Sequence, residues 1–204
     1  MCFVLPSRQQ DLDKGKIDMP EIQIRPVIAA DIPALVALDH HYTSNQVWQL
    51  DLQVGRMDET SGEPVRAASF RQVRLPRNVR VEYPRPAQNL IEDWTYRSGL
   101  LAATFKGESV GYISLMLGFS PLTTWVTDLV VHRPLRRQGI GTALILAAME
   151  WAVNMDTQNL IIEMQPKNYP ALCMALRLGF ELCGYNDRYY PNQEIGLFFG
   201  KVLR

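Results

Sequence analysis

The stretch from Trp125 to Ile145, WVTDLVVHRPLRRQGIGTALI, carries the residues best suited to chemistry. A strand-like run, Asp128-Leu129-Val130-Val131, leads past Pro134 into a turn that holds Arg136, Arg137, Gln138, Gly139, Ile140 and Gly141, where a helix begins. The first four amides of a helix lack partners within it and carry about half a positive charge. Glycines let the backbone approach a ligand closely. Amides at this turn could cradle an anion of pyrophosphate size, and Arg136 and Arg137 could add charge-assisted bonds. The spacing is neither the GxxxxGKS or GxxxxGKT of a nucleotide P-loop nor the GxGxxG of a dinucleotide site. A helix start with flexible glycines and no ligand fits the same residues.

These residues need a frame to hold them. Ile22 and Ile24 alternate with polar neighbours and predict a strand over 21–25. Asp31 as N-cap, with Pro33 in the first turn, predicts a helix running to about His41. Residues 45–51 are ambiguous, and 55–64 read as a loop. Strands are expected over 65–75 and 79–83, joined by a turn at Pro76-Arg77-Asn78. A hairpin around Lys106-Gly107-Glu108 joins strands over 100–105 and 110–117. Another strand covers 125–131. Ile140, Leu144, Ala147, Ala148, Trp151 and Met155 share one helical face. A short strand over 160–164 and a second helix from Asn168, closed by Gly179, come next. Two final strands fall within 180–190 and 194–203. The pattern is α/β (α+β): a mixed, mostly antiparallel sheet flanked by helices, with one parallel crossover in its second half. Residues 1–20, polar and punctuated by Pro6, Gly15 and Pro20, read as a loose arm; 21–204 read as one domain.

Composition excludes several classes. A chain of 204 residues fits one domain. Lys and Arg total 21 and so do Asp and Glu, so no global field draws the protein to nucleic acid or to an acidic membrane. Cys2, Cys173 and Cys183 form no CxxC pair and are too few for a disulfide scaffold. The longest greasy run, Ala143 to Met149, stops at Glu150, whereas a membrane span takes about 20 residues. No signal-peptide core is visible. The expectation is a cytoplasmic protein without nucleic-acid or membrane partners.

Two motifs carry a resemblance. Arg136-x-x-Gly139-x-Gly141, after Asp128-Leu129-Val130-Val131, resembles the acetyl-CoA signature of the GNAT superfamily of N-acetyltransferases. Asn168-x-x-Ala171 followed by Gly179-Phe180 is similar in spacing to that family's Asn-x-x-Ala…Gly-Phe segment. The fold-level resemblance covers residues 22–204, and its motifs lie between about 125 and 185. The ending, GFELCGYNDRYYPNQEIGLFFGK, is similar to streptothricin-type acetyltransferases.

The resemblance implies acetyl-CoA as co-substrate and no metal. It implies that Arg136 and the amides of Arg137, Gln138, Gly139, Ile140, Gly141 and Thr142 hold the pyrophosphate. Leu129, Val130 and Val131 would hydrogen-bond the pantetheine arm, with one amide polarising the thioester carbonyl as an oxyanion hole does. Asn168 would cap its helix and, with Ala171, meet the pantetheine. The implied reaction is acetyl transfer to a primary amine by direct attack in a ternary complex. An alkyl ammonium of pKa about 10.4 is neutral in only about one molecule in 10³ near pH 7, so a base is expected. Asp128 and Glu163 are the candidates, although Thr127 stands where several relatives carry Glu. The position seven after the Asn, commonly a Tyr that protonates the leaving thiolate, is Ala175 here. Tyr185, Tyr189 or Tyr190 could substitute, or positioning alone could serve. The acceptor is a small or antibiotic-like amine, or a protein N-terminus or lysine, met by a monomer or homodimer. Ala175 favours a second reading, a non-catalytic acyl-CoA-binding sensor or scaffold.

Other residues read more simply. His40 and His41 are neighbours, about 100° apart on a helix, and are expected at the surface as a poor metal pair. His132 faces solvent or the co-substrate, and Cys173 packs. Arg66, Arg71, Arg74, Arg77, Arg80 and Arg85 read as a solvated strand edge. Tyr42, Trp48, Tyr83, Trp94 and Tyr96 belong to a core or to a cleft for a cationic amine. Replacing Gly141 by Val is expected to weaken CoA binding about tenfold to hundredfold while the fold survives, because several amide–phosphate bonds weaken together. Titration of CoA alongside thermal melting checks this.

Overall fold

The computed structural model describes residues 22–57 and 64–203. The expected arm over 1–20, Glu21, and most of the expected loop at 55–64 lie outside them. The strands are β1 (Ile22–Pro26), β2 (Tyr42–Met57), β3 (Pro64–Val81), β4 (Gly99–Phe105), β5 (Glu108–Met116), β6 (Thr123–Val131), β7 (Asn159–Met164), β8 (Glu181–Asn186) and β9 (Gly196–Val202). The helices are α1 (Ile32–Val36), α2 (Asn89–Asp93), α3 (Ile140–Asn154) and α4 (Tyr169–Arg177). Seven strands form one sheet in the order β1-β4-β5-β6-β7-β9-β8, and β2 with β3 forms a separate ribbon. Every pairing in the large sheet is antiparallel except β6 with β7, which α3 connects as the crossover.

The side-chain period of two sorts the sheet's residues onto two faces. Ile113, Leu115 and Val126 meet Leu144, Ile145 and Ala148 of α3 on one face. Leu100, Tyr112 and Val130 meet Ile32 and Leu35 of α1 and Leu90 of α2 on the other. Gly99 opens β4 without a side chain for a packing reason: a Cβ there would lie 2.7 Å from the Trp151 indole. No helix among the described residues is long and apolar enough to cross a membrane.

Four local expectations are corrected. The turn at Pro76-Arg77-Asn78 is an irregularity inside one long strand. Ser44 pairs with Val79 and Gln46 with Arg74, so residues 75–78 stand opposite Asn45 alone. Pro76 has no amide to give a ladder, so the register breaks there and resumes. The first helix ends at Val36, well short of His41. His40 is buried rather than exposed; its Nδ1 lies 2.7 Å from the Leu38 carbonyl and its Nε2 3.1 Å from the Tyr112 hydroxyl. Burial holds its pKa below the ordinary histidine value.

Asp31 is the fourth correction. Its side chain does not cap α1. It instead accepts both terminal nitrogens of Arg25 at 2.7 and 2.8 Å, the Ile28 amide at 2.9 Å and the Ser109 hydroxyl at 2.8 Å. Hydrogen bonds from Arg25 foremost, against the cost of burial, hold this carboxyl well below the usual range. The cluster ties the start of α1 to the β4–β5 hairpin. Asp31→Asn is expected to cost roughly 1.5–3 kcal/mol at pH 7, the scale of a hydrogen bond to a charged group. A carboxyl with a depressed folded pKa stabilises above its unfolded pKa, and that contribution is lost as pH falls towards the folded value. The gap between parent and variant should therefore narrow below about pH 4. Urea unfolding at pH 7 and pH 3 checks both statements.

Candidate active site

The site begins where the sheet comes apart. β6 pairs with β7 only through Thr123–Val126 against Asn159–Ile162. From Thr127 to Val131 the side of β6 that faced β7 is open. A bulge coincides with the parting, because Asp128 pairs with Ser114 and Val126 with Leu115, leaving Thr127 as the extra residue. In a regular strand Val126 and Asp128 would share a face. The bulge separates them, so Val126 stays in the core while Asp128 joins the opposite side with Ser114.

A groove of about 740 Å³ runs along the open edge. Leu129, Val130 and Val131 line one side, and Asn168, Ala171 and Met174 of α4 line the other. It ends at Arg137, Gly139, Gly141 and Thr142. Arg137 and Gly139 have φ of 68° and 88°, a conformation that turns nearby amides into an anion-binding concavity. The bond from the Ala143 amide to the Gly139 carbonyl, 2.9 Å, lies in the first helical turn. The amides of Ile140, Gly141 and Thr142 precede it and have no intrahelical acceptor. Gln138 is exposed with its side chain on the Pro134 carbonyl, and Ile140 is buried in the core, so Ile140 can offer only its amide. Gly141 also answers a packing need, since a Cβ there would sit 3.3 Å from Met174 Sδ. Asn168 caps α4, its Oδ1 accepting the Ala171 amide at 3.4 Å.

Arg136 lines the groove and also holds the backbone around it. Its guanidinium donates to the carbonyls of Val131 at 2.8 Å, His41 at 2.6 Å and Asp39. It brackets the turn to the end of β6 and to the segment before β2, and two of its five N–H groups are left over on a side chain that also lines the groove.

Beside the groove, at the parting of β6 and β7, lies a smaller cavity of about 40 Å³ lined by Tyr83, Arg85, Asp128, Glu163, Gln165 and Tyr190, among others. Both candidate carboxylates meet here and both are buried. Asp128 accepts from Arg97 at 2.7 Å and from the Tyr83 hydroxyl at 3.0 Å. Glu163 accepts from the Tyr189 hydroxyl at 2.6 Å and from Arg85. Burial raises the Glu163 pKa, and Arg85 and Tyr189 offset part of the rise. Arg85 bridges the two acids. It donates to Glu163 and to the Thr127 carbonyl, lies 3.7 Å from Asp128, and sits over the Tyr190 ring at 5.9 Å. Burial lowers its pKa, but the two carboxylates outweigh this and raise it, so it stays charged. Gln165 accepts from the Tyr42 hydroxyl at 2.8 Å and donates to Glu194 at 2.6 Å.

Several residues of this cavity were not marked by the sequence. Arg85 reads as part of a solvated basic edge and is instead inside. Gln165 and Met174 follow no motif, nor does Arg97, which holds Asp128 from outside the cavity lining. Tyr83 is visible only as one aromatic among five. Of the tyrosines considered as substitutes, Tyr189 and Tyr190 reach the cavity region, whereas Tyr185 is exposed and packs on Phe70. Ala175 is fully buried in the core. Among the described residues no group of three or more His, Cys, Asp and Glu is placed to hold a metal ion.

Residues 64–180, more than half of the chain, match the model of the acetyltransferase (GNAT) family. The chain belongs to this family. An N-alpha-acetyltransferase of Sulfurisphaera tokodaii is 31% identical over 110 residues, which are 48% of this chain and 66% of that protein. The fold of this GNAT acetyltransferase is also that of nourseothricin acetyltransferase, with a TM-score of 0.72 at 22% identity over 90% of this chain and 99% of the other. A candidate streptothricin acetyltransferase from Bacillus anthracis str. Ames, solved with acetyl coenzyme A, superposes with a TM-score of 0.68 at 18% identity over 90% and 98% of the two chains.

Replacing Arg136 by Ala is expected to lower stability by about 2 kcal/mol or more, because three carbonyls lose a charged donor together. Lys, which lacks the planar fork, should recover only part of the loss. Chemical denaturation of both variants gives the comparison.

Proposed function

We propose that this protein transfers an acetyl group from acetyl-CoA directly to a primary amine in a ternary complex. The observation that carries the reading is the junction of two cavities at one backbone edge. The long groove ends on helix-start amides suited to a pyrophosphate. The edge of β6 that β7 leaves runs along the way without a partner strand. The smaller cavity, about 40 Å³, has room for the amine head group of the second reactant at the strand parting, where a carbonyl polarised by a β6 amide would meet it.

The acceptor side favours a small cationic amine. Among the charged residues that line it, Asp128 and Glu163 outnumber Arg85, an excess of one negative charge. Tyr83 and Tyr190 add aromatic surface. Small aminated antibiotics of the kind the nourseothricin and streptothricin enzymes are named for satisfy this chemistry. A peptide N-terminus, the acceptor class in the name of the Sulfurisphaera relative, is the competing acceptor. The alternative of an acyl-CoA-binding module without turnover draws on Ala175, which brings no hydroxyl to the groove.

CoA is expected to bind with micromolar affinity by calorimetry. Thiol release from acetyl-CoA should accelerate with at least one amine in a panel of streptothricin-type antibiotics, diamines and short peptides. No CoA binding at millimolar concentration overturns the reading. CoA binding with no thiol release across the panel leaves the non-catalytic module in its place.

A further inference from the structure

Five residues line both the groove and the smaller cavity: Tyr83, Leu129, Asn168, Ala171 and Met174. The reacting atoms of two substrates entering from two cavities must meet where the cavities meet. Tyr83 carries the one titratable side chain in that shared set. Its hydroxyl accepts the Leu129 amide at 3.4 Å and donates to Oδ1 of Asp128 at 3.0 Å. The other oxygen of Asp128 is fixed by Arg97 at 2.7 Å and by the Thr127 hydroxyl at 3.3 Å. Arg97 is in turn held by Asp93 at 2.8 and 3.0 Å. Asp128 thus has one oxygen tied back to the scaffold and the other, 3.7 Å from the Arg85 guanidinium, bonded to a phenol that stands between the cavities.

From this geometry we infer that Tyr83 and Asp128 form a proton relay, with Tyr83 as the catalytic residue that touches the reacting atoms. The inference rests on the acetyltransferase reading above. The amine nitrogen bonds to the thioester carbonyl carbon and gains a positive charge. It gives a proton to the Tyr83 oxygen as the Tyr83 proton passes to Oδ1 of Asp128. The C–S bond then breaks with its electron pair on sulfur, and the carbonyl re-forms as the amide. The proton on Asp128 returns through Tyr83 to the thiolate. One N–H and one C–S bond are lost, one C–N and one S–H bond are gained, and no further reactant is needed. Burial foremost, with Asp128 adding to it, keeps the Tyr83 phenol protonated at rest. Tyr83 therefore starts each cycle as a donor, and the relay needs the base behind it.

Tyr83→Phe tests the relay, because it keeps the ring that packs beside α1 and α2 and removes only the hydroxyl. With the best amine of the panel, kcat should fall about 10²–10⁴-fold, the span of general acid–base catalysis. CoA affinity should stay within about threefold of the parent. Asp128→Asn should lose a similar factor. The double variant should be no slower than the slower single one, since parts of one relay are not additive. A Tyr83→Phe protein with kcat within a few-fold of the parent overturns the relay alone. So does a loss of CoA affinity that matches the loss of kcat, which would mark a structural role. A parent that binds no CoA, or releases no thiol with any amine, overturns the acetyltransferase reading and the relay with it.

Discussion

Strands β6 and β7 share a ladder over four residue pairs and then part, and the rest of the site follows from that separation. Backbone amides and carbonyls must find partners when they leave water. On the β7 side of β6, from Thr127 onward, the strand that would supply them is gone, and a ligand can take its place. The crossover helix α3 starts just past the same end of β6. Its unpaired amides and the open edge therefore line one continuous groove without any dedicated loop. The bulge at Thr127 adds the last requirement by placing a carboxylate at the parting while Val126 stays in the apolar core.

Charge fills the space that the ladder vacates. Arg85, Arg97, Asp128 and Glu163 are largely withdrawn from solvent and paired with one another. Taking such ions out of water costs several kcal/mol each, and their attraction roughly balances that cost, so apolar residues of the same volume would serve stability as well. The arrangement is better understood through what it fixes. Each carboxylate has an arginine and a tyrosine hydroxyl as partners, Asp128 with Arg97 and Tyr83, Glu163 with Arg85 and Tyr189. Both acids are thereby held in one orientation at the meeting point of two cavities.

The sequence shows the parts of this site that are local. Arg136-x-x-Gly139-x-Gly141 and Asn168-x-x-Ala171 mark the two helix starts because capping and anion binding are set by neighbours in the chain. The parallel crossover is legible for the same reason, as a strand–helix–strand run. The acceptor side is assembled mostly from contacts distant in sequence, such as Tyr189 with Glu163, 26 residues apart, and Arg85 with Glu163, 78 apart, and no spacing rule announces them. A bulge leaves no signature in composition, so the face of Asp128 could not be read from alternation. His40 and Arg85 read as surface residues because a polar side chain looks solvated in a sequence, and only their distant partners, Tyr112 and Glu163, place them inside. Pro76 was recognised as a breaker, but whether a break reverses the chain or only interrupts a ladder depends on the opposite strand.

Arg136 ties the turn to its surroundings entirely through main-chain carbonyls, those of Asp39, His41 and Val131. Every amino acid carries that carbonyl. The side chains at positions 39, 41 and 131 can therefore drift over generations without loosening the bracket. The guanidinium has no such freedom, because no other side chain reaches three oxygens with one rigid fork. The join is thus tolerant on one side and strict on the other, and a lineage could rewrite the neighbourhood almost completely while one codon stayed fixed.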